Sequence, residues 1–100
     1  MISYCTDTGY CANSVKLSAN ADLLISECAY LSGQKSDHWP HMNPQLAAKL
    51  AVEAGAKKLA LTHFDAALYT TMARREKAQA QAQKIFHESF VAYDGLRITI

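Results

Sequence analysis

The chain is 100 residues long, 50% hydrophobic, and carries ten basic against nine acidic side chains. That length allows one domain, residues 1–100, with a core that removes about two-thirds of the unfolded chain's surface from water. A net charge of +1 rules out the strongly basic balance of a general nucleic-acid or membrane-surface binder, and no apolar run nears the roughly 20 residues of a membrane helix.

The first segment, Ile2-Ser3-Tyr4-Cys5, reads as a short strand, and Asp7-Thr8-Gly9 follows at its end. Asp-Thr-Gly is the motif of aspartic proteases, some metal-dependent hydrolases place an aspartate at such a strand end, and an aspartate that caps the next turn is commoner than either. A short helix is expected over about 13–19, then a buried strand over 22–26 closed by Glu27. Residues 31–41, L-S-G-Q-K-S-D-H-W-P-H, are polar and read as a loop. Asn43-Pro44 is a helix start, Ala47, Leu50, Ala51 and Ala54 repeat at helical spacing, and Gly55 closes the helix. A second buried strand, 58–62, precedes His63. The longest helix is expected over 71–87, with Ala78, Ala82, Ile85 and Phe86 buried, and with Arg74, Arg75, Glu76, Lys77 and the glutamines wet. Asp94-Gly95 between two apolar runs predicts a closing hairpin.

The order is therefore β-α-β-α-β-α-β-β, an α/β architecture with parallel pairing and with Leu24 and Leu61 in the core. Three alanine-rich helical segments do not fit the nearly all-β aspartic proteases of this length. Three cysteines without C-x-x-C spacing (Cys5, Cys11, Cys28) read as reduced thiols. Together with a start at Met1 that lacks a basic, apolar leader, they make a cytoplasmic location the expectation.

Four polar residues stand at strand ends or just before a helix: Asp7, Glu27, His41 and His63. In open α/β sheets ligands gather at the carboxyl ends of strands, so parallel pairing would bring Asp7, Glu27 and His63 to one edge, with His41 facing them. Asp and His are plausible ligands for zinc or manganese, and a Glu–His pair is plausible proton-transfer machinery. Taken singly, each has a plainer reading as a hydrogen-bonded or solvated side chain. The proline in His38-Trp39-Pro40-His41 disfavours a helical metal pair, so His38 and Trp39 read as loop residues beside the site.

The stretches T-D-T-G, A-D-L-L-I-S-E-C-A, H-M-N-P-Q-L-A-A-K-L-A and G-A-K-K-L-A-L-T-H-F, with the closing A-Y-D-G-L-R-I-T-I, resemble the C-terminal half of metallo-β-lactamase-fold hydrolases of the ribonuclease Z-like branch. The resemblance implies the C-terminal half of an αββα sandwich with a mixed sheet. It implies a metal-dependent hydrolase, a phosphodiesterase or ribonuclease Z-like enzyme, with two divalent metal ions, zinc before manganese. Asp7 would bridge the ions and His63 would be the last histidine ligand of one, while Glu27 and His41 would protonate the leaving group. The H-x-H-x-D-H motif of that family is absent. The chain therefore reads as a fragment with Met1 an internal methionine. It would be inactive alone, need hold no metal by itself, and would partner the N-terminal half of its own fold. Two departures, His41-Met42-Asn43 in place of an H-S-T-like triplet and D-A-A-L-Y in place of an S-x-R-Y-like stretch, turn the expectation from transfer-RNA processing to a general phosphodiester or related ester substrate. Nucleic acid stays open without support from charge, and no membrane partner is expected. The alternative is a non-enzymatic α/β module that self-associates or docks on a partner.

Overall fold

Short apolar runs separated by alanine-rich amphipathic segments have one economical packing, helices laid over a sheet, and the computed structural model takes it. It describes every residue except Lys35, Asp37 and Trp39. The elements are β1 (Ile2–Cys5), α1 (Ala12–Ser18), β2 (Leu23–Glu27), α2 (Pro44–Ala54), β3 (Leu59–Thr62), α3 (Met72–Gln83) and β4 (Ser89–Val91). The strands form one sheet in the order β1-β2-β3-β4, every pair parallel.

Register decides the layers. Ser3 lies opposite Leu24, Leu24 opposite Leu59, and Leu59 opposite Ser89; two residues on, Cys5, Ser26, Leu61 and Val91 follow on the same face. That face is the core, where Cys5, Leu24, Leu59 and Leu61 pack with Ala47, Leu50 and Ala51 of α2 and with Ala78 and Ala82 of α3. The small alanines let the helices approach the sheet closely. Tyr4, Ile25, Ala60 and Phe90 share the opposite face, where Ile2 and Tyr4 are 55% and 56% exposed. Leu24 and Leu61, expected in the core, are fully buried.

The expected caps form. The Asn43 side chain accepts from the Leu46 amide with Pro44 in the first turn, and Gly55 ends α2 at φ 70°, a left-handed conformation that a side chain disfavours. Thr71 caps α3 in the same way, accepting from the Arg74 amide. The loop expected over 31–41 carries no helix or strand among its described residues, and the expectation for Trp39 lies outside them.

Three expectations fail. The sheet is parallel, not mixed, because the closing hairpin does not form: Tyr93 and Leu96 make a turn, but no strand follows over 96–100. The outward edge of β4 is occupied instead. The Val91 amide donates to Gln79 Oε1 at 2.8 Å and the Ser89 carbonyl accepts from Gln83 Nε2 at 2.9 Å, so two glutamines of α3 cover the groups a fifth strand would need. Those glutamines were expected to be wet. Helix α3 also stops at Gln83, short of 87, which leaves Ile85 46% exposed outside the predicted stripe.

Candidate active site

Strands that run parallel deliver their carboxyl ends to one side of the sheet, and there the four polar residues meet. Asp7 lies just past β1 and His63 immediately past β3. Both adopt left-handed backbone conformations, at φ 53° and 54°. Such conformations are uncommon for residues with side chains, and they turn each one off the strand axis. The result brings His63 Nε2 to 3.5 Å from Asp7 Oδ1, with the imidazole about half exposed and the carboxylate 71% exposed. The helix-capping role for Asp7 is not taken: α1 starts at Ala12, with Cys11 as its N-cap residue and no side-chain cap.

Glu27 ends β2 and has no exposed surface. A buried carboxylate needs charge-assisted hydrogen bonds to offset its lost hydration. Here the Thr8 amide donates to one oxygen, and His41 Nδ1 lies 2.9 Å from both. When Glu27 is ionised it can only accept, so the proton between them then belongs to Nδ1 and the other ring nitrogen of His41 is Nε2. The two imidazoles are near neighbours, with ring centroids 6.3 Å apart.

The loop that carries His41 is held on three sides. Met42 is fully buried, and its carbonyl accepts from the Tyr30 amide at 3.1 Å. The Tyr30 ring meets the His41 ring edge-on at 5.3 Å. A side chain at Gly9 would come within 3.1 Å of the Pro40 Cβ, a tight contact that the glycine of the Asp-Thr-Gly stretch avoids. Beneath the site Tyr69 donates to the Tyr30 carbonyl at 2.6 Å and contacts Cys28 Sγ at 3.7 Å. Burial, with a smaller push from the Glu27 charge, raises the Cys28 thiol from 9.0 to about 12, against the contact with the Tyr69 hydroxyl that lowers it. Burial likewise raises the Tyr69 phenol.

All four residues singled out in the sequence are thus brought together, as an exposed Asp7–His63 pair beside a buried Glu27 that holds His41. His38 stays at the surface of the loop. Sequence reasoning missed Tyr30 and the Thr8 amide, which signal nothing in one dimension, and the role of Gly9, which only the approach of Pro40 reveals. For a divalent ion, a carboxylate oxygen and an imidazole Nε2 exposed side by side are suitable donors, and they fall short of the usual three or four. Among the described residues no group of three or more His, Cys, Asp or Glu could hold a metal. The residues fit as a partial ligand set.

Comparisons with known proteins find similar chains. The family model described as "Beta-lactamase superfamily domain" matches residues 1–64. A ribonuclease Z of Acaryochloris marina is 38% identical over 103 residues, covering 99% of this chain and 32% of that protein. One of Nostoc sp. is 35% identical over 97 residues, covering 93% of this chain and 30% of that protein. Among solved structures, the metallo-β-lactamase fold protein YhfI from Bacillus subtilis superposes with a TM-score of 0.81 at 32% identity, covering 95% of this chain and 38% of that one. Human tRNase Z, short form, gives a TM-score of 0.61 at 30% identity, covering 92% and 31%. The chain spans about a third of the length of the curated relatives it matches.

Proposed function

We propose, since this chain belongs to the β-lactamase superfamily, that it carries part of the catalytic centre of a metal-dependent phosphodiester hydrolase of the ribonuclease Z-like kind. The observation that carries the reading is the convergence of an Asp7–His63 pair and a Glu27–His41 pair at one end of a parallel sheet. Asp7 and His63 would hold metal, and the further ligands would come from outside these 100 residues, from the other half of the fold. Bound divalent ions, zinc before manganese, would neutralise charge on the phosphate and activate water for attack.

The remaining roles belong to the chain itself. Glu27 keeps the Nδ1 proton of His41 and stabilises the imidazolium, so that Nε2 can give a proton to the departing oxygen. Burial of Glu27 keeps water from competing for that hydrogen bond. The substrate is a phosphodiester, RNA among the candidates, and the protein is read as cytoplasmic. In the described residues no helix is long and apolar enough to cross a membrane.

The deciding measurement pairs metal content with turnover. In protein that contains the complete site, Asp7→Ala and His63→Ala should each lower bound zinc and reduce hydrolysis of bis(p-nitrophenyl) phosphate by at least about a hundredfold. Normal metal content and normal turnover in both variants would overturn the assignment.

A second reading, a non-enzymatic module, draws on the uncovered sheet face with Ile2 and Tyr4 more than half exposed. The other half of an αββα sandwich would cover that face as well as a second copy would. If the self-associating module is correct, Ile2→Ser with Tyr4→Ser should turn a dimer into a monomer in sedimentation, and no metal-dependent turnover should be found.

A further inference from the structure

A cleft of about 500 Å³ opens beside the Asp7–His63 pair, lined by His63, Phe64, Met72, Arg75, Tyr93 and Asp94 among others. That is the size of a small-ligand site. Among the described residues that line it the permanent cation is Arg75, in the first turn of α3, whose guanidinium lies over the Phe64 ring at 5.1 Å from the centroid. A guanidinium held over a ring by cation–π attraction keeps its full charge, and its N–H donors can still grip a phosphate with two parallel hydrogen bonds. The preceding arginine is differently used: Arg74 donates to the Leu68 carbonyl at 2.9 Å. Among the described residues no carboxylate lies within ion-pair distance of Arg75, although Asp94 lines the same cleft. An arginine held in place, without an acidic partner, next to a proposed metal ligand is placed to receive an anion.

We propose that Arg75 binds a phosphate of the substrate in this cleft, and so sets where a phosphodiester lies relative to His63. The assignment rests on the phosphodiester reading above. Tyr93, 56% exposed on the cleft wall, is the aromatic side chain on which the adjoining base would stack. Asp94 opposes the anion. Arg75 therefore selects for a charged diester over a neutral ester of the same shape.

The test is binding of uridylyl-uridine, a dinucleoside with one phosphodiester, to the protein held metal-free with a chelator, followed by calorimetry and by NMR shifts at Thr62, His63, Phe64 and Tyr93. Arg75→Met keeps an apolar stem over Phe64 and should weaken binding about tenfold, with Arg75→Lys in between. The thermal midpoint of Arg75→Met should stay unchanged and its affinity for uridine, which lacks the phosphate, should match that of the native protein. Asp94→Asn should tighten uridylyl-uridine binding. No binding by the native protein, or equal binding by Arg75→Met, overturns the proposal, as does an equal loss for uridine and uridylyl-uridine, which would mark a structural stacking role. The metal assignment is judged separately, by the zinc content and turnover of Asp7→Ala in protein that contains the complete site. Hydrolysis that survives Asp7→Ala sinks the metal reading, whatever Arg75 does.

Discussion

Glu27 sits without exposed surface at a strand end, and its two oxygens are spent on an amide and an imidazole. A carboxylate held in this way does more for its histidine than for solvent: it sets which nitrogen carries a proton and which way the ring faces. If His41 gives its Nε2 proton to a departing oxygen, its loss should matter in proportion to the basicity of that oxygen. His41→Ala should slow cleavage of a ribonucleotide diester by about 10²–10⁴-fold and spare p-nitrophenyl esters, whose leaving group needs no acid. Equal losses on both substrates would assign His41 another role. The cysteines behave differently from one another for equally local reasons. Cys11 is exposed and its thiol is lowered by hydrogen bonds from Ser14, whereas Cys28 is buried and raised to about 12. Iodoacetamide should therefore label Cys11 first, and Cys5 and Cys28 only on unfolding. Raising the Cys28 value also has a sign for stability. Between 9.0 and about 12 the unfolded thiol loses its proton while the folded one keeps it, so stability is intact below that window and falls as pH rises through it. Cys28→Ala should flatten the alkaline limb of a stability–pH curve; an unchanged limb would assign it to other groups.

At the scale of elements, α3 does two jobs. Its alanines Ala78 and Ala82 are buried against the sheet, while Gln79 and Gln83 turn toward the edge of β4 and occupy its free amide and carbonyl. Alternation of alanine and glutamine looks like filler in a helix because helix periodicity reports which residues are apolar, not what a polar side chain bonds. Gln79→Ala should cost about 1 kcal/mol in denaturant unfolding and expose an edge that promotes association. A cost within about 0.3 kcal/mol would mean that water replaces the glutamine freely. The loop before α2 shows the same economy. Asn43 serves both as the cap of α2 and, through its Nδ2, as a donor to the Gln34 carbonyl at 3.0 Å, so the helix start and the loop that carries His41 are fastened by one side chain.

At the scale of the molecule, the described residues place three helices on one face of a four-stranded parallel sheet, a single-sided core. Leu24 is fully buried at the centre of that core, in register between Ser3 and Leu59. Truncation to alanine should cost about 2–5 kcal/mol by thermal or denaturant unfolding, and a cost within about 0.5 kcal/mol would mean that the layer order is wrong. The other face, with Ile2 and Tyr4 exposed, has the apolar surface of an interior layer. Two-layer burial on both sides is the usual condition of parallel sheets. The chain is about a third as long as its relatives, and the Asp7–His63 pair stands at the carboxyl rim of the sheet.

Local pattern by itself was enough for the alternation of elements, for the caps at Asn43 and Gly55, for the burial of Leu24 and Leu61, and for the choice of Asp7, Glu27, His41 and His63 as the residues to watch. Each of these depends on neighbours within a few positions: a period of two or 3.6, a cap three residues from its amide, a polar residue where an apolar run stops. Distances and partners were settled only by the tertiary structure. The left-handed turns at Asp7 and His63, the approach of Pro40 to Gly9, the T-shaped contact of Tyr30 with His41, the glutamines on the β4 edge and the place of Arg75 beside His63 join residues remote in sequence. Asp94-Gly95 made its turn and no hairpin, because a strand needs a free edge as well as a turn, and α3 had already taken that edge.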